Sequence, residues 1–357
     1  MQPDERFMER ALELARRPAF TSPNPRVGAV VVRDDAIIGE GAHMGAGTPH
    51  AEAVALDGVD ARGATVFVTL EPCNHQGRMP PCAPALVQSG VARVVVAISD
   101  PDPRVSGTGI DVLRSAGIEV VTGVLAAEAE RLNRAYLHHR RTGRSFVSLK
   151  LALTLDGRMT AADGSSQWIT GPEARRVVHA RRLEADAVLV GAGTVLADDP
   201  RLTVRDVPAA RQPLRVVADA SGRVPPTAAL FGEPGAVLVA TTGAAPHETQ
   251  IAWKEAGAEV LVLPEGERGV DLAALVETLG FRGVVEILCE GGPRLASSLI
   301  AGGLAGRLEL HYGPVLTGGG RSIDDLGITT MAHALRYVTE DVTRAGNDLL
   351  VTLVREV

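Results

Sequence analysis

A chain of 357 residues has room for two domains of ordinary size. Hydrophobic residues make up 45% but aromatics only 3%, so the cores must be built from Ala, Val, Leu and Ile. A net charge of −7, from 36 basic against 43 acidic residues, argues against a dedicated nucleic-acid binder, and three cysteines allow no disulfide framework, which fits a reducing cytoplasm. The polar, acidic start at residues 1–5 does not read as a signal peptide, and no apolar run reaches the length of a membrane span.

In chain order, the spacing of Phe7, Met8, Ala11, Leu12, Leu14 and Ala15 predicts a helix over 4–17. Residues 27–32 read as a buried strand, Asp34-Asp35 as a turn, and 36–39 as the hairpin partner. A Gly/Pro loop ends at His50, which falls in the first turn of the next helix. Strand 64–69, helix 82–87, strand 93–98, helix 109–116, a short strand near Val120 and one helix over 126–141 follow. The basic run from Arg140 to Arg144 invites an RNA-binding reading, but a solvated helix end whose cations complement the helix dipole is preferred in so acidic a chain. The domain boundary is placed there, giving domains 1–145 and 146–357.

The second half alternates strands (148–154, 186–190, 214–218, 236–240, 260–263 and 284–289) with helices, among them 172–183 and one starting at Pro293. Segments 307–312 and 349–354 read as late strands, the last closing the sheet, while 205–213 and 321–347 give no clear pattern. Gly191-Ala192-Gly193 after a strand is a fragment of the dinucleotide fingerprint only, since position 196 is Leu. The buried strand ending in Glu290, then Gly291-Gly292-Pro293, is a stronger phosphate signal: free backbone N–H groups at such a helix start can cradle a pyrophosphate. An ordinary strand–turn–helix reads the same way.

The chemistry-bearing stretch is His50-Ala51-Glu52, taken with Pro72-Cys73 and Pro81-Cys82. One imidazole and two thiolates make three legs of a zinc tetrahedron, and an open fourth position marks a catalytic zinc rather than a structural one. Glu52 is not needed as a ligand and can shuttle a proton, as in the H-x-E and P-C-x-x-C pattern of zinc nucleobase deaminases. Here eight residues separate the cysteines instead of two, so a loop must leave the metal and return; Gly77 and Pro80-Pro81 suit it. His75 in that loop is a competing imidazole, with a substrate-loop role preferred.

The wording T-S-P-N-P-R-V-G-A-V, P-H-A-E and T-L-E-P-C-N-H-Q-G-R-M-P-P-C closely resembles the deaminase half of the bifunctional riboflavin-biosynthesis deaminase/reductase family. Met79 stands where that family's pattern has Thr, which puts the loop's substrate contacts in question. Stretches 148–157, 165–171, 186–194 and 197–205 resemble the same family's reductase half. The resemblance implies an α/β chain: a cytidine-deaminase-like zinc domain followed by a dihydrofolate-reductase-like domain.

It also implies hydrolytic deamination of 2,5-diamino-6-(5-phosphoribosylamino)pyrimidin-4(3H)-one, then NADPH-dependent reduction of the ribosyl group to give 5-amino-6-(5-phosphoribitylamino)uracil. Carried over residue by residue, it implies zinc at His50, Cys73 and Cys82 and proton transfer by Glu52. Substrate contacts fall at Asn24, Ser166, Arg182, Leu202, Arg205 and Glu290. The two arginines suit a phosphate as bidentate forks. NADPH contacts fall at Ala152, Trp168, Thr194, Asp198, Ser221 and Gly292, Pro293, Arg294, Leu295, Ala296, Ser297 and Ser298. Lys150 lies at the expected site edge and could assist protonation. A homo-oligomer, dimer or tetramer, is expected, with a small-molecule substrate and neither nucleic acid nor membrane as partner. Three rivals stay open: a nucleoside or tRNA deaminase with an unrelated appendage, a protein whose zinc only staples the fold, and an enzyme with one working half.

Overall fold

The computed structural model describes residues 3–77 and 79–355 and divides into two compact units after Gly143. In the first, the predicted stripe of α1 (Pro3–Arg16) is buried, Phe7 through Ala15, against β1 (Gly28–Arg33). Asp34 and Asp35 take positive φ of 50° and 59°, the backbone a two-residue hairpin needs, and return the chain as β2 (Ala36–Ala42). Then come α2 (Ala51–Leu56), β3 (Thr65–Val68), α3 (Cys82–Gln88), β4 (Arg93–Val96), α4 (Thr108–Ser115) and β5 (Glu119–Thr122). Helical crossovers make β3, β4 and β5 parallel, and the sheet order is β2-β1-β3-β4-β5. The core of this unit is mostly Val, Ala, Leu and Ile, with Met8, Tyr136 and the tilted ring pair Phe7–Phe67 among its described residues.

The helix expected over 126–141 is two helices, α5 (Ala126–Leu132) and α6 (Arg134–Thr142). The break is at Asn133, whose amide is drawn away to hold both backbone groups of Arg26: Arg26 N–H donates to Oδ1 at 2.8 Å and Nδ2 donates to Arg26 O at 2.9 Å. In the basic run, Arg140 stacks on Tyr136 and donates to Pro23 O, so it belongs to the packing of the helix end.

The second unit contains β6 (Phe146–Leu153), α7 (Pro172–Glu184), β7 (Ala187–Gly191), α8 (Ala192–Asp198), β8 (Leu214–Ala218), β9 (Val237–Thr241), α9 (His247–Glu255) and β10 (Glu259–Val262). A small hairpin of β11 (Glu265–Gly266) and β12 (Gly269–Val270) leads to α10 (Leu272–Phe281), β13 (Glu286–Cys289), α11 (Pro293–Ala301), β14 (Ala305–Tyr312), β15 (Tyr337–Ala345) and β16 (Asp348–Arg355). The nine-stranded sheet runs β10-β9-β8-β7-β13-β6-β14-β16-β15. The six strands from β10 to β6, with β14, are parallel; β16 and β15 add antiparallel pairs at one end.

Two expectations change here. The C-terminal strand does not close the sheet, because β15, within the unreadable stretch 321–347, pairs outside it. Gly191-Ala192-Gly193, the fragment of the dinucleotide fingerprint, forms no glycine loop: Gly191 caps α8 and Gly193 lies inside that helix.

Close backbone approach sets α2. A Cβ on Gly41 of β2 would lie 2.1 Å from Ala51 O and 2.6 Å from Ala55 N. Gly41→Ala must therefore push α2 off the sheet, at about 1–3 kcal/mol. We expect the thermal midpoint of unfolding to fall by several degrees; an unchanged midpoint would show that α2 is not held by this contact.

Candidate active sites

Three chain segments converge in the first unit. His50 is the N-cap of α2, Cys82 opens α3, and Cys73 lies in the loop after β3, at the carboxyl end of the sheet. Their donor atoms lie within 4.8 Å of one another. His50 Nδ1 is 3.2 Å from Cys82 Sγ and 3.5 Å from Cys73 Sγ. Ligands of one tetrahedral zinc, with bonds near 2.0 and 2.3 Å, sit roughly 3.5 Å apart, so the donor set fits that ion. The Cys82 thiol and then the His50 imidazole pull the Cys73 thiol well below its ordinary range, while Cys73 and burial push Cys82 up. The two sulfurs therefore share one proton, which a divalent cation would displace. Glu52, one residue into α2 beyond Ala51, is 4% exposed, and burial raises it to about 7.

Several supports here escaped the sequence reading. His43 accepts from Asn24 Nδ2 at 2.9 Å, donates from Nδ1 to Pro49 O at 3.0 Å, and stacks edge-on against His50. It thereby ties the expected substrate residue Asn24 to the expected ligand. Buried Glu71 accepts from Asp100 N, Gly107 N, Gly109 N and Ile110 N, anchoring the start of α4 against the Cys73 loop. At Gly109 a Cβ would meet Pro72 O at 1.8 Å. The acidity of Glu71 inside L-E-P-C was the one signal available for it. His75 is not in the donor cluster, and its Nδ1 is buried without a partner. Met79 is half-buried, and its neighbour Arg78 lies outside the described residues.

The second unit holds a cavity of about 2020 Å³ at the carboxyl ends of β6, β7, β8 and β13. Binding pockets for one small molecule span about 300–1,000 Å³, so this one has room for a dinucleotide and a substrate together. Its floor at α11 begins with Gly292, whose N–H donates to Thr194 Oγ1 at 3.0 Å, ahead of Pro293 at the first helical position. Asp198 lies 3.5 Å from both Ser166 Oγ and Gln167 Nε2, and Arg175 stacks over the exposed Trp168 ring at 4.3 Å. Half-buried Lys150 faces the same space, its amine pushed down by burial and partly restored by Glu290.

Residues 145–351 match the family model described as RibD C-terminal domain, and residues 1–98 match the cytidine and deoxycytidylate deaminase zinc-binding region. The riboflavin biosynthesis protein RibD of Aquifex aeolicus is 43% identical over 99% of this chain and 98% of its own length. That of Escherichia coli K12 is 42% identical over 98% and 99%. The chain belongs to the RibD family. Among solved structures, Acinetobacter baumannii RibD superposes with a TM-score of 0.89 at 39% identity, over 100% of this chain and 99% of that one. The Thermotoga maritima diaminohydroxyphosphoribosylaminopyrimidine deaminase/5-amino-6-(5-phosphoribosylamino)uracil reductase gives 0.85 at 36%, over 99% of each. The expected fold, a deaminase-like domain followed by a RibD-type reductase domain, is borne out.

Of the residues expected around NADPH and substrate in this unit, the cavity brings together Ala152, Ser166, Trp168, Arg182, Thr194, Asp198, Leu202, Arg205, Ser221, Glu290, Gly292, Pro293, Arg294, Leu295 and Ser298. It leaves out Ala296 and Ser297, which are fully buried on the opposite face of α11; Ser297 Oγ donates to Pro293 O and accepts from Asp324 N. The resemblance gave Arg182 and Glu290 each as a substrate contact, but they form a two-point ion pair with one another at 2.6 and 2.9 Å, with Arg182 Nη1 on Thr203 O. The fork expected for a phosphate is thus taken by Glu290, while Arg205 spends one N–H on Thr203 Oγ1 and is exposed.

For the metal cluster, Cys73→Ser replaces a soft thiolate by a hard, weakly acidic hydroxyl. We expect purified variant to lose most of its zinc by metal analysis. Full retention would remove Cys73 from the ligand set.

Proposed function

We propose that residues 1–145 deaminate and residues 146–357 reduce, in two consecutive steps of riboflavin biosynthesis on one phosphoribosyl-pyrimidine. The observation that carries this is the pairing, on one full-length RibD-family chain, of a His/Cys/Cys cluster beside a buried carboxylate with a cavity of dinucleotide size. Bound zinc supplies an activated water near neutral pH, and bound NADPH supplies hydride to the ribosyl group. His50, Cys73 and Cys82 hold the metal; Asn24, fixed by His43, contacts the pyrimidine. Glu52 takes a proton from water and returns it to the departing amine, so ammonia leaves neutral. A value near 7 suits both directions of that transfer.

In the reductase half, the N–H groups at the start of α11 meet the cofactor's phosphates, and Trp168, Asp198 and Ser221 line its path. Ser166, Leu202 and Arg205 hold the ribosyl phosphate end, and the Glu290–Arg182 pair presents fixed polarity to the pyrimidine. Lys150 protonates the ring-opened sugar, a reading supported by its position in the lining of the same cavity. Measuring ammonia release and NADPH oxidation together on the diaminopyrimidine tests this; one signal without the other would leave only one working half.

The chain acts in the cytoplasm as a homo-oligomer, a reading supported by the sheet-edge strand β15, where Val338 and Val342 are exposed. No helix among the described residues is long and apolar enough to cross a membrane. Light scattering should give a mass of two or four chains; a single-chain mass would refute the assembly.

Glu52→Gln keeps size and polarity but removes the base. Zinc should stay, and deamination should fall by about 10²–10⁴-fold or more. Reduction of the deaminated intermediate should be nearly unchanged. Ammonia release at the wild-type rate would make Glu52 an ordinary helix carboxylate.

A further inference from the structure

The segment carrying Leu202 and Arg205 has no regular structure, yet its backbone is demanding. Leu202 and Asp206 have φ of 57° and 59°, left-handed values that cost energy for residues with a Cβ. Specific contacts hold it there. Leu202 is buried, Thr203 O accepts from Arg182, and the Gln212 amide closes on both backbone groups of Val204. The remaining tie is at Arg205 itself: its N–H donates to His179 Nδ1 at 3.1 Å. His179, on α7 one turn before Arg182, is 7% exposed and borders the cavity. Because Nδ1 accepts, the ring proton sits on Nε2, which points to Asp206 Oδ2 at 3.6 Å.

We propose that His179 is a positioning residue of the reductase site. Its neutral imidazole pins the Arg205 backbone so that the guanidinium meets the substrate's phosphate, and protonation of Nδ1 releases that pin. The inference rests on the reading of Arg205 as the phosphate contact. The charged groups facing the ring are Arg182 from α7, Arg205 and Asp206 from the segment, and Glu290 at the end of β13. Burial, then the two arginines, push the imidazole below the usual histidine range, against the two carboxylates. The neutral form therefore prevails at neutral pH, and substrate affinity falls only on acidification below the ordinary value near 6.5.

The test is steady-state reduction of the deaminated phosphoribosyl-pyrimidine by NADPH, across roughly pH 5 to 8. His179→Leu should raise the substrate KM about tenfold, the scale of one lost hydrogen bond, with kcat little changed. His179→Asn places an amide oxygen where Nδ1 lies and does not titrate; KM should stay near wild type at neutral pH and lose the His-dependent rise in acid. His179→Gln places its amide at the Nε2 position and should behave like Leu. The substrate phosphate titrates near about 6 in every variant, so it cancels in the comparison. Should the Leu variant fail to fold, the Asn and Gln variants, alike in polarity, still decide. Equal KM for Asn and Gln, or a wild-type acid rise in Asn, overturns the proposal. Arg205→Ala separates the two layers: a raised KM there with silent His179 variants defeats the positioning role alone, while an unchanged KM defeats the phosphate reading and this inference with it.

Discussion

Two cysteine sulfurs and an imidazole in mutual contact, on three segments of chain, are the constraint on which the first unit depends. Without a cation, the Cys73 thiol gives up its proton the more readily, and the Cys82 thiol is held up by its hydrogen bond with Cys73 and by burial. Every local feature around the cluster reduces the freedom of its members. Gly41 lets α2 lie on the backbone of β2, which sets His50 and Glu52. Glu71 draws four N–H groups of the 100–110 segment onto one carboxylate and, with Gly109, seats α4 against Pro72. A metal site so braced has its ligand directions settled by the fold, which lowers the entropic cost of closing the coordination sphere.

Glu52 shows how the same packing produces chemistry. It sits at the second position of α2, where a carboxylate is favoured by the helix dipole, yet it is buried beside His50 and the two cysteines rather than facing solvent. Burial overrides the dipole and lifts the group to about 7. A carboxylate at the surface of the same helix would stay ionised at neutral pH and could not return a proton to a departing amine.

Much of the fold was legible because its signals are local. Hydrophobic period, the Asp34-Asp35 turn and Pro293 at a helix start lie within a few residues of what they determine. The metal cluster was legible because its residue types are rare and their spacing unusual. What stayed hidden depends on partners far along the chain. Asn133 breaks a helix by binding Arg26, 107 residues earlier, and His43 has meaning only beside Asn24 and His50. β15 has mostly exposed residues on both faces, so it carries no alternation of apolar and polar positions. Arg182 and Glu290, 108 residues apart, each carry a plausible ligand role until the fold joins them.

That pairing follows from a lock deeper in the sheet. Ser148 and Lys150 of β6 project from the same face as Arg307, Glu309 and His311, their β14 neighbours or next-but-one residues. On that face Arg181 of α7 bonds Glu286 at 2.7 Å and Glu309 at 2.8 Å, and Arg307 lies close to both carboxylates. A buried ion network of this kind adds little net stability over an apolar core, but breaking it strands charges, at roughly 3–5 kcal/mol for a pair. Arg181 therefore cannot slide along β13 and β14, and α7 has one register. With Arg181 fixed, Arg182 is turned about 100° around the helix, toward Glu290 and the cavity. His179, three residues before Arg182, comes to the same side and reaches Arg205. A closed charge network at one end of the sheet face thus sets the directions of the side chains at its open end.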